Sequence, residues 1–374
     1  MRRRFFGVLR GALRTHDGRA ILREALGGQL AWRPALPDAL DTGRVYPDLG
    51  SAEPDDSLMA RNAVFVTARF RTGSTLLWDI FRHVPGVTAY YEPLNERRWF
   101  DSHRRGTQID SSHRHVSDYW SEYEGLDELG ALYREDWVRR DLYMSATSWD
   151  PQLRQYIATL IARARGRALL QFNRVDFRLP WLRATFPTTP IIHLYRHPRE
   201  QWCSSLINPS HYSLDASSEA FAARDHFYLN DWVRDLKYTF PFLEDHRIAH
   251  PYDQFYMIWK LSYMYGRAYA DRSISFESLI ANPARELSSL LGVLNLRDYD
   301  LDQLIELVVP PQQRRWEYAP AEWFAEREAQ CEQTLAEFLR PDDATFGSSD
   351  LRSHPMLVAR GTVSSSSVAE TPYH

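Results

Sequence analysis

Residues 68–81 read Ala-Arg-Phe-Arg-Thr-Gly-Ser-Thr-Leu-Leu-Trp-Asp-Ile-Phe. Arg71 supplies a planar cation that grips two oxygens at once. Gly73 permits a tight turn, and Ser74 and Thr75 add hydroxyls just after it. Such a set suits holding an anion; the bland alternative is an ordinary strand-to-helix turn. The elements that must position it follow from the flanking residues. Residues 62–67, Asn-Ala-Val-Phe-Val-Thr, are apolar and β-branched and predict a buried parallel strand. Leu76, Leu77, Ile80 and Phe81 recur at helical spacing. A strand, a one-glycine turn and a helix N-terminus point backbone N–H groups and a positive dipole end at the anion. The usual nucleotide loop, G-x-x-x-x-G-K-[ST], lacks both its first glycine and its lysine here. No strand ends in an acidic metal ligand, which argues against magnesium and ATP.

Three more polar groups leave predicted strands. Arg196 follows residues 190–195, with Pro198 set for the first turn of a helix and Ser204 eight positions beyond the arginine. Glu92 follows residues 87–91, beside Tyr90 and Tyr91, and Pro93 keeps it out of helical geometry. A carboxylate at such an exit can take the proton of an acceptor hydroxyl, and apolar surroundings raise its basicity. The bland alternative is a surface Glu capping a loop, and Glu96 is the rival carboxylate. Asn173 and Arg174 follow residues 168–172. Arg174 stays charged and can serve as neither acid nor base. It is expected either to face an anion or to pair with Asp176 or a neighbouring acid. In open α/β sheets ligands gather at these carboxyl ends.

Arg71-Thr72-Gly73-Ser74-Thr75 resembles the K/R-[ST]-G-[ST]-T loop of sulfotransferases that use 3′-phosphoadenosine 5′-phosphosulfate (PAPS). The resemblance implies that these five residues bind the phosphosulfate, and that Arg196 and Ser204 bind the 3′-phosphate. Glu92-Pro93-Leu94 is similar to the E-P-L of carbohydrate sulfotransferases, where the Glu is the base in several branches. Relatives place a Lys or His near position 174; Arg174 fits the part of steadying the sulfuryl oxygens. Residues 276–283, Phe-Glu-Ser-Leu-Ile-Ala-Asn-Pro, look like a further family phrase of largely structural character. Beyond it, Arg314, Arg315 or Trp316 is expected to close over the nucleotide. The implied fold is α/β, a P-loop-type three-layer sandwich with a five-stranded parallel sheet. Strands are expected near 62–67, 87–91, 168–172, 190–195 and 273–277. The likeness covers roughly residues 61–345.

The chain has 374 residues and a formal net charge of −4, so a nucleic-acid surface is not indicated. Its two cysteines, Cys203 and Cys331, form no metal-ligand spacing and no disulfide framework. Lysine occurs only at 237 and 260, which makes arginine counts poor evidence of function. Residues 1–60 read as an N-terminal helix and linker, 61–345 as the catalytic domain, and 346–374 as a disordered tail. Insertions at about 97–167 and 207–268 are expected to be helical, notably at 126–143 and 151–163, and to build the acceptor pocket. His113, His115, His211 and His226 match no metal site and read as surface or structural. No apolar run is long enough to span a membrane. Golgi relatives carry such an anchor, so a bacterial-type cytoplasmic enzyme is expected. The reading is sulfuryl transfer from PAPS, without a metal, to a glycan or small-molecule hydroxyl. Two alternatives are a P-loop kinase-like enzyme, which would prefer ATP–magnesium, and a catalytically silent binding protein, which would lack turnover.

Overall fold

A computed structural model describes residues 63–206, 212–311 and 317–338. The expected N-terminal helix, the linker and tail, His211, and Arg314, Arg315 and Trp316 lie outside the described residues. Five strands form one all-parallel sheet in the order β2-β3-β1-β4-β5. They are β1 Ala63–Ala68, β2 Val87–Tyr91, β3 Arg167–Phe172, β4 Ile191–Tyr195 and β5 Arg272–Ser275. Helices cover both faces, which is why β1 is buried along its whole length and reads as an unbroken apolar run. From β1 the chain crosses to β2 at one edge, and from β4 to β5 at the other. The exits of β1 and β4 therefore diverge between neighbouring strands. This is the switch point where an open α/β sheet leaves a crevice.

The main helices are α1 Ser74–Arg82, α2 Pro151–Arg163, α3 Leu179–Thr185, α4 Pro198–Ser205, α5 Leu229–Leu236, α6 Pro251–Tyr269, α7 Phe276–Ala281, α8 Pro283–Val293, α9 Leu301–Glu306 and α10 Ala321–Phe338. Helix α2 has the expected bounds. Asp150 caps it by accepting the Leu153 N–H at 2.9 Å, with Pro151 in the first turn.

Three expectations are corrected. The fifth strand stops at Ser275, whose hydroxyl accepts the Ser278 N–H and starts α7, so Phe276 and Glu277 are helical. Residues 126–143 form only a turn at Leu129–Leu132 and a 3-10 turn at Glu135–Val138. The reason is Arg178, fully buried, whose guanidinium donates to the carbonyls of Trp137, Arg140 and Asp141. A continuous helix over 126–143 would have used the Trp137 carbonyl internally. Residues 212–267 are likewise broken, into a turn at Ser218–Ala222, α5, a 3-10 turn at Pro241–Glu244 and most of α6. Among the described residues no helix is long and apolar enough to cross a membrane.

Helix α6 lies against β4 so closely that a Cβ on Gly266 would overlap the ring of His193. His193 is 3% exposed and stacks on Tyr195. Burial, then the charge of Arg267, push its pKa down to about 3. An unfolded histidine titrates near 6.5. Between those values the unfolded chain binds a proton that the fold refuses, so stability falls as pH drops through this window. Relative to His193→Asn, the wild type should lose about 2 kcal/mol between pH 6.5 and pH 5. Urea midpoints across that range test it; parallel losses in the two proteins would mean that His193 protonates within the fold.

Candidate active site

The carboxyl ends of the strands open into a cleft of about 870 Å³. Into it come Arg71, Gly73, Ser74 and Thr75 after β1, Glu92 and Glu96 after β2, Arg174 after β3, and Arg196 and Ser204 around α4. Thr72 faces the other way. Its hydroxyl donates to the Arg69 carbonyl at 2.7 Å and its N–H reaches the same oxygen at 3.3 Å, which closes the turn.

The turn is held in unusual geometry. Gly73 has φ 90° and Arg71 has φ 64°, both left-handed. A Cβ on Gly73 would overlap the ring of Phe276, so only glycine lets the loop approach α7. No side chain caps α1, and no acid lies in its first turn, which leaves its leading N–H groups to the cleft. Gln201 anchors the loop from α4 by donating to the Phe70 carbonyl at 2.7 Å.

The two arginine motifs meet across the switch point. Arg71 Nε donates to the Ser204 carbonyl at 3.0 Å and to its hydroxyl at 3.2 Å. Arg196 donates to the Arg71 carbonyl at 3.2 Å, and its guanidinium lies 4.9 Å from the Phe276 ring centre. Each arginine also has a half-exposed carboxylate nearby: Asp110 at 3.5 Å from Arg71, and Glu200 at 3.6 Å from Arg196.

Arg174 is 2% exposed and bridges both candidate carboxylates. Its Nη1 is 3.4 Å from Glu92, and its Nη2 is 2.5 Å from Glu96. The open pairing with Asp176 is not formed; Asp176 instead accepts from Thr67 at 2.8 Å and from Arg69 at 3.3 Å. Glu92 is buried, has φ 40°, and accepts from Asn95 Nδ2 at 2.5 Å. Glu96 also accepts from the Tyr228 hydroxyl at 2.5 Å. Burial opposes its ionisation, but Arg174 and that hydrogen bond outweigh burial and hold its pKa below the usual carboxylate range.

Several cleft residues were not singled out from the sequence. Phe276 belongs to the phrase read as structural, yet its ring supports both Gly73 and Arg196. Tyr228 and Asp110 come from the two insertions, where no spacing pointed to them. His113 and His226, read as surface or structural, line the cleft, and His113 contacts Thr75 at 3.2 Å. His193 lies under α6 and is not among the cleft residues. Cys203 is buried, which pushes its thiol up to about 12 and makes it a poor nucleophile. Among the described residues no group of three or more His, Cys, Asp or Glu is placed to hold a metal.

Arg174→Met would leave Glu92 and Glu96 facing each other with no cation between them. The variant should lose about 3 kcal/mol, the low end for one partner removed from a buried ion pair. The low end applies because the Glu96 side chain is 32% exposed. Urea unfolding reads this directly. A loss below about 1 kcal/mol would mean that water screens the two carboxylates.

The model of one protein family, described as the sulfotransferase family, matches residues 63–300. The matched span runs from the start of β1 through β5 and α8 and so contains every cleft residue named after a strand. No curated protein and no solved structure matches the chain. With the match covering well over half of the sequence, the chain belongs to the sulfotransferase family.

Proposed function

We propose that this protein transfers a sulfuryl group from PAPS to a hydroxyl of a carbohydrate or small metabolite. The observation that carries the reading is the convergence of Arg71, Arg196, Ser204 and the uncapped start of α1 on one end of the cleft, with Glu92 in the same cleft. Arg71 and the loop N–H groups take the phosphosulfate, and Arg196 and Ser204 take the 3′-phosphate. In the step itself the acceptor oxygen bonds to sulfur as the sulfur–oxygen bond to the 5′-phosphate breaks. Adenosine 3′,5′-bisphosphate leaves, and Glu92 receives the hydroxyl proton. Negative charge grows on the leaving phosphate, so fixed donors around the loop favour the transition state over the ground state. Such chemistry needs positioning and charge neutralisation more than covalent help.

The acceptor side is walled by aromatic rings. Phe70 packs 5.4 Å from Phe227 and 6.3 Å from Tyr228, between ring centres. Arg174 lies 4.9 Å from the Phe70 ring centre, so one cation joins this wall to Glu92 and Glu96. Apolar faces beside a carboxylate suit the stacking of a ring that carries hydroxyls.

Two measurements test the reading. Adenosine 3′,5′-bisphosphate should bind at least about tenfold more tightly than AMP, because the missing phosphate takes one charged hydrogen bond with it, about 1.5–3 kcal/mol. Equal affinities by calorimetry, or a preference for ATP–magnesium, would sink the donor assignment. For the base, Glu92→Gln keeps shape and hydrogen bonding but cannot accept the proton. Turnover of labelled PAPS should fall by about 10²–10⁴-fold while bisphosphate affinity stays unchanged. Undiminished turnover would remove Glu92 from the mechanism.

A further inference from the structure

Glu92 and Glu96 meet the two terminal nitrogens of one planar guanidinium, that of Arg174. They therefore lie side by side, and both line the cleft. Glu92 accepts from Asn95, from Arg174 and from the Tyr91 hydroxyl. Glu96 accepts from Arg174, from the Tyr228 hydroxyl and from its own backbone N–H. A carboxylate offers about four lone-pair sites, so each of the two has about one left.

Chemistry limits what can fill those sites. An ionised carboxylate only accepts, so a ligand must bring a hydrogen-bond donor to each. At Glu92 that donor is the hydroxyl that loses its proton. Glu96 serves differently. Burial opposes its charge, but Arg174 and Tyr228 outweigh burial and keep it ionised, so it goes on accepting and is the weaker proton taker. The ligand needs lone pairs as well. Arg174 lines the cleft, and its buried Nε has no hydrogen-bond partner among the described residues. A hydroxyl both donates and accepts, whereas an ammonium group only donates. Two donors side by side, each with a lone pair, describe two hydroxyls on neighbouring carbons.

We propose that the acceptor is a vicinal diol, as on a sugar ring: one hydroxyl gives its proton to Glu92 and is sulfated, while its neighbour donates to Glu96 and is left unchanged. The proposal rests on the sulfuryl-transfer reading above. Tyr228 is a positioning residue for Glu96. Its hydroxyl holds Oε1 at 2.5 Å while Arg174 holds Oε2 at 2.5 Å, which fixes the carboxylate in place.

Transfer from labelled PAPS by the full chain tests this with three probes: cyclohexane-1,2-diol, cyclohexane-1,4-diol and cyclohexanol. The 1,4-diol has as many hydroxyls as the 1,2-diol, but too far apart to meet both carboxylates. For wild type, kcat/KM with the 1,2-diol should exceed that with either other probe by at least about tenfold, as for one hydrogen bond to a charged group. Glu96→Ala should shrink that preference to about threefold or less. The ratio is the readout because a change in the base itself slows all three probes alike. Tyr228→Phe keeps the ring but lets Glu96 turn, and should lower the preference by at least about twofold, as for one neutral hydrogen bond. Calorimetry with adenosine 3′,5′-bisphosphate shows whether each variant keeps its fold. A 1,2-diol no better than the other probes in wild type, or an undiminished preference in folded Glu96→Ala, would overturn the proposal. Should Glu96→Ala not fold, an undiminished preference in Tyr228→Phe would do the same. A wild type that does not bind the bisphosphate would instead overturn the sulfuryl-transfer reading itself.

Discussion

Five arginines line one cleft, and three of them, Arg71, Arg174 and Arg196, are neutralised in different ways. Arg174 is buried and has two carboxylates, Glu92 and Glu96, close beside it. An ionised group so far from water needs permanent partners, and here both are part of the fold. Arg71 and Arg196 are held differently. Their hydrogen bonds run to backbone carbonyls and to the Ser204 hydroxyl, and the acids beside them, Asp110 and Glu200, are about half exposed. Ion pairs in that setting contribute at most about 1 kcal/mol each. Arg174 is thus the most deeply buried of the three and has two carboxylates within 3.4 Å. Glu92 and Glu96 are thereby gathered around one buried cation, while Arg71 and Arg196 meet across the switch point.

The geometry that achieves this carries local cost. Arg71, Glu92 and Tyr228 all have φ between 40° and 64°, where a non-glycine backbone is disfavoured. Each such residue costs on the order of 1–3 kcal/mol and persists only where its surroundings over-determine it. Those surroundings are visible. Ser204 and Arg196 grip the Arg71 segment, Asn95 and Arg174 grip Glu92, and Glu96 holds the Tyr228 hydroxyl. Strain gathered at the cleft and absorbed by hydrogen bonds around it is the pattern of a site whose groups must be aimed.

The insertions illustrate how tertiary contacts override local preference. Residues 126–143 have helical periodicity, yet Arg178 claims the Trp137 carbonyl that a helix would have needed, along with those of Arg140 and Asp141. Its own burial makes those bonds obligatory, since an unsatisfied buried guanidinium is far costlier than a broken helix. The fifth strand ends two residues before its expected limit at 277, because a serine cap at 275 starts a helix in its place. That early helix is what brings Phe276 under Gly73 and Arg196.

By itself the sequence determined the alternation of apolar strands and helices, the parallel sheet that follows from it, and the residue types at four strand exits. Such features are local: periodicity, a glycine turn and a proline after a strand act over a few residues. The contact between Arg71 and Ser204, 133 positions apart, could not be read that way, nor could the sharing of Arg174 between two carboxylates. His113, Asp110 and Tyr228 were beyond reach for the same reason. They lie in segments whose paths are set by aromatic packing and buried polar satisfaction rather than by their own periodicity. Strand order decided which exits became neighbours, and side-chain partners decided which charges stayed exposed to a ligand. Both are properties of chain closure in three dimensions, which no short window of sequence contains.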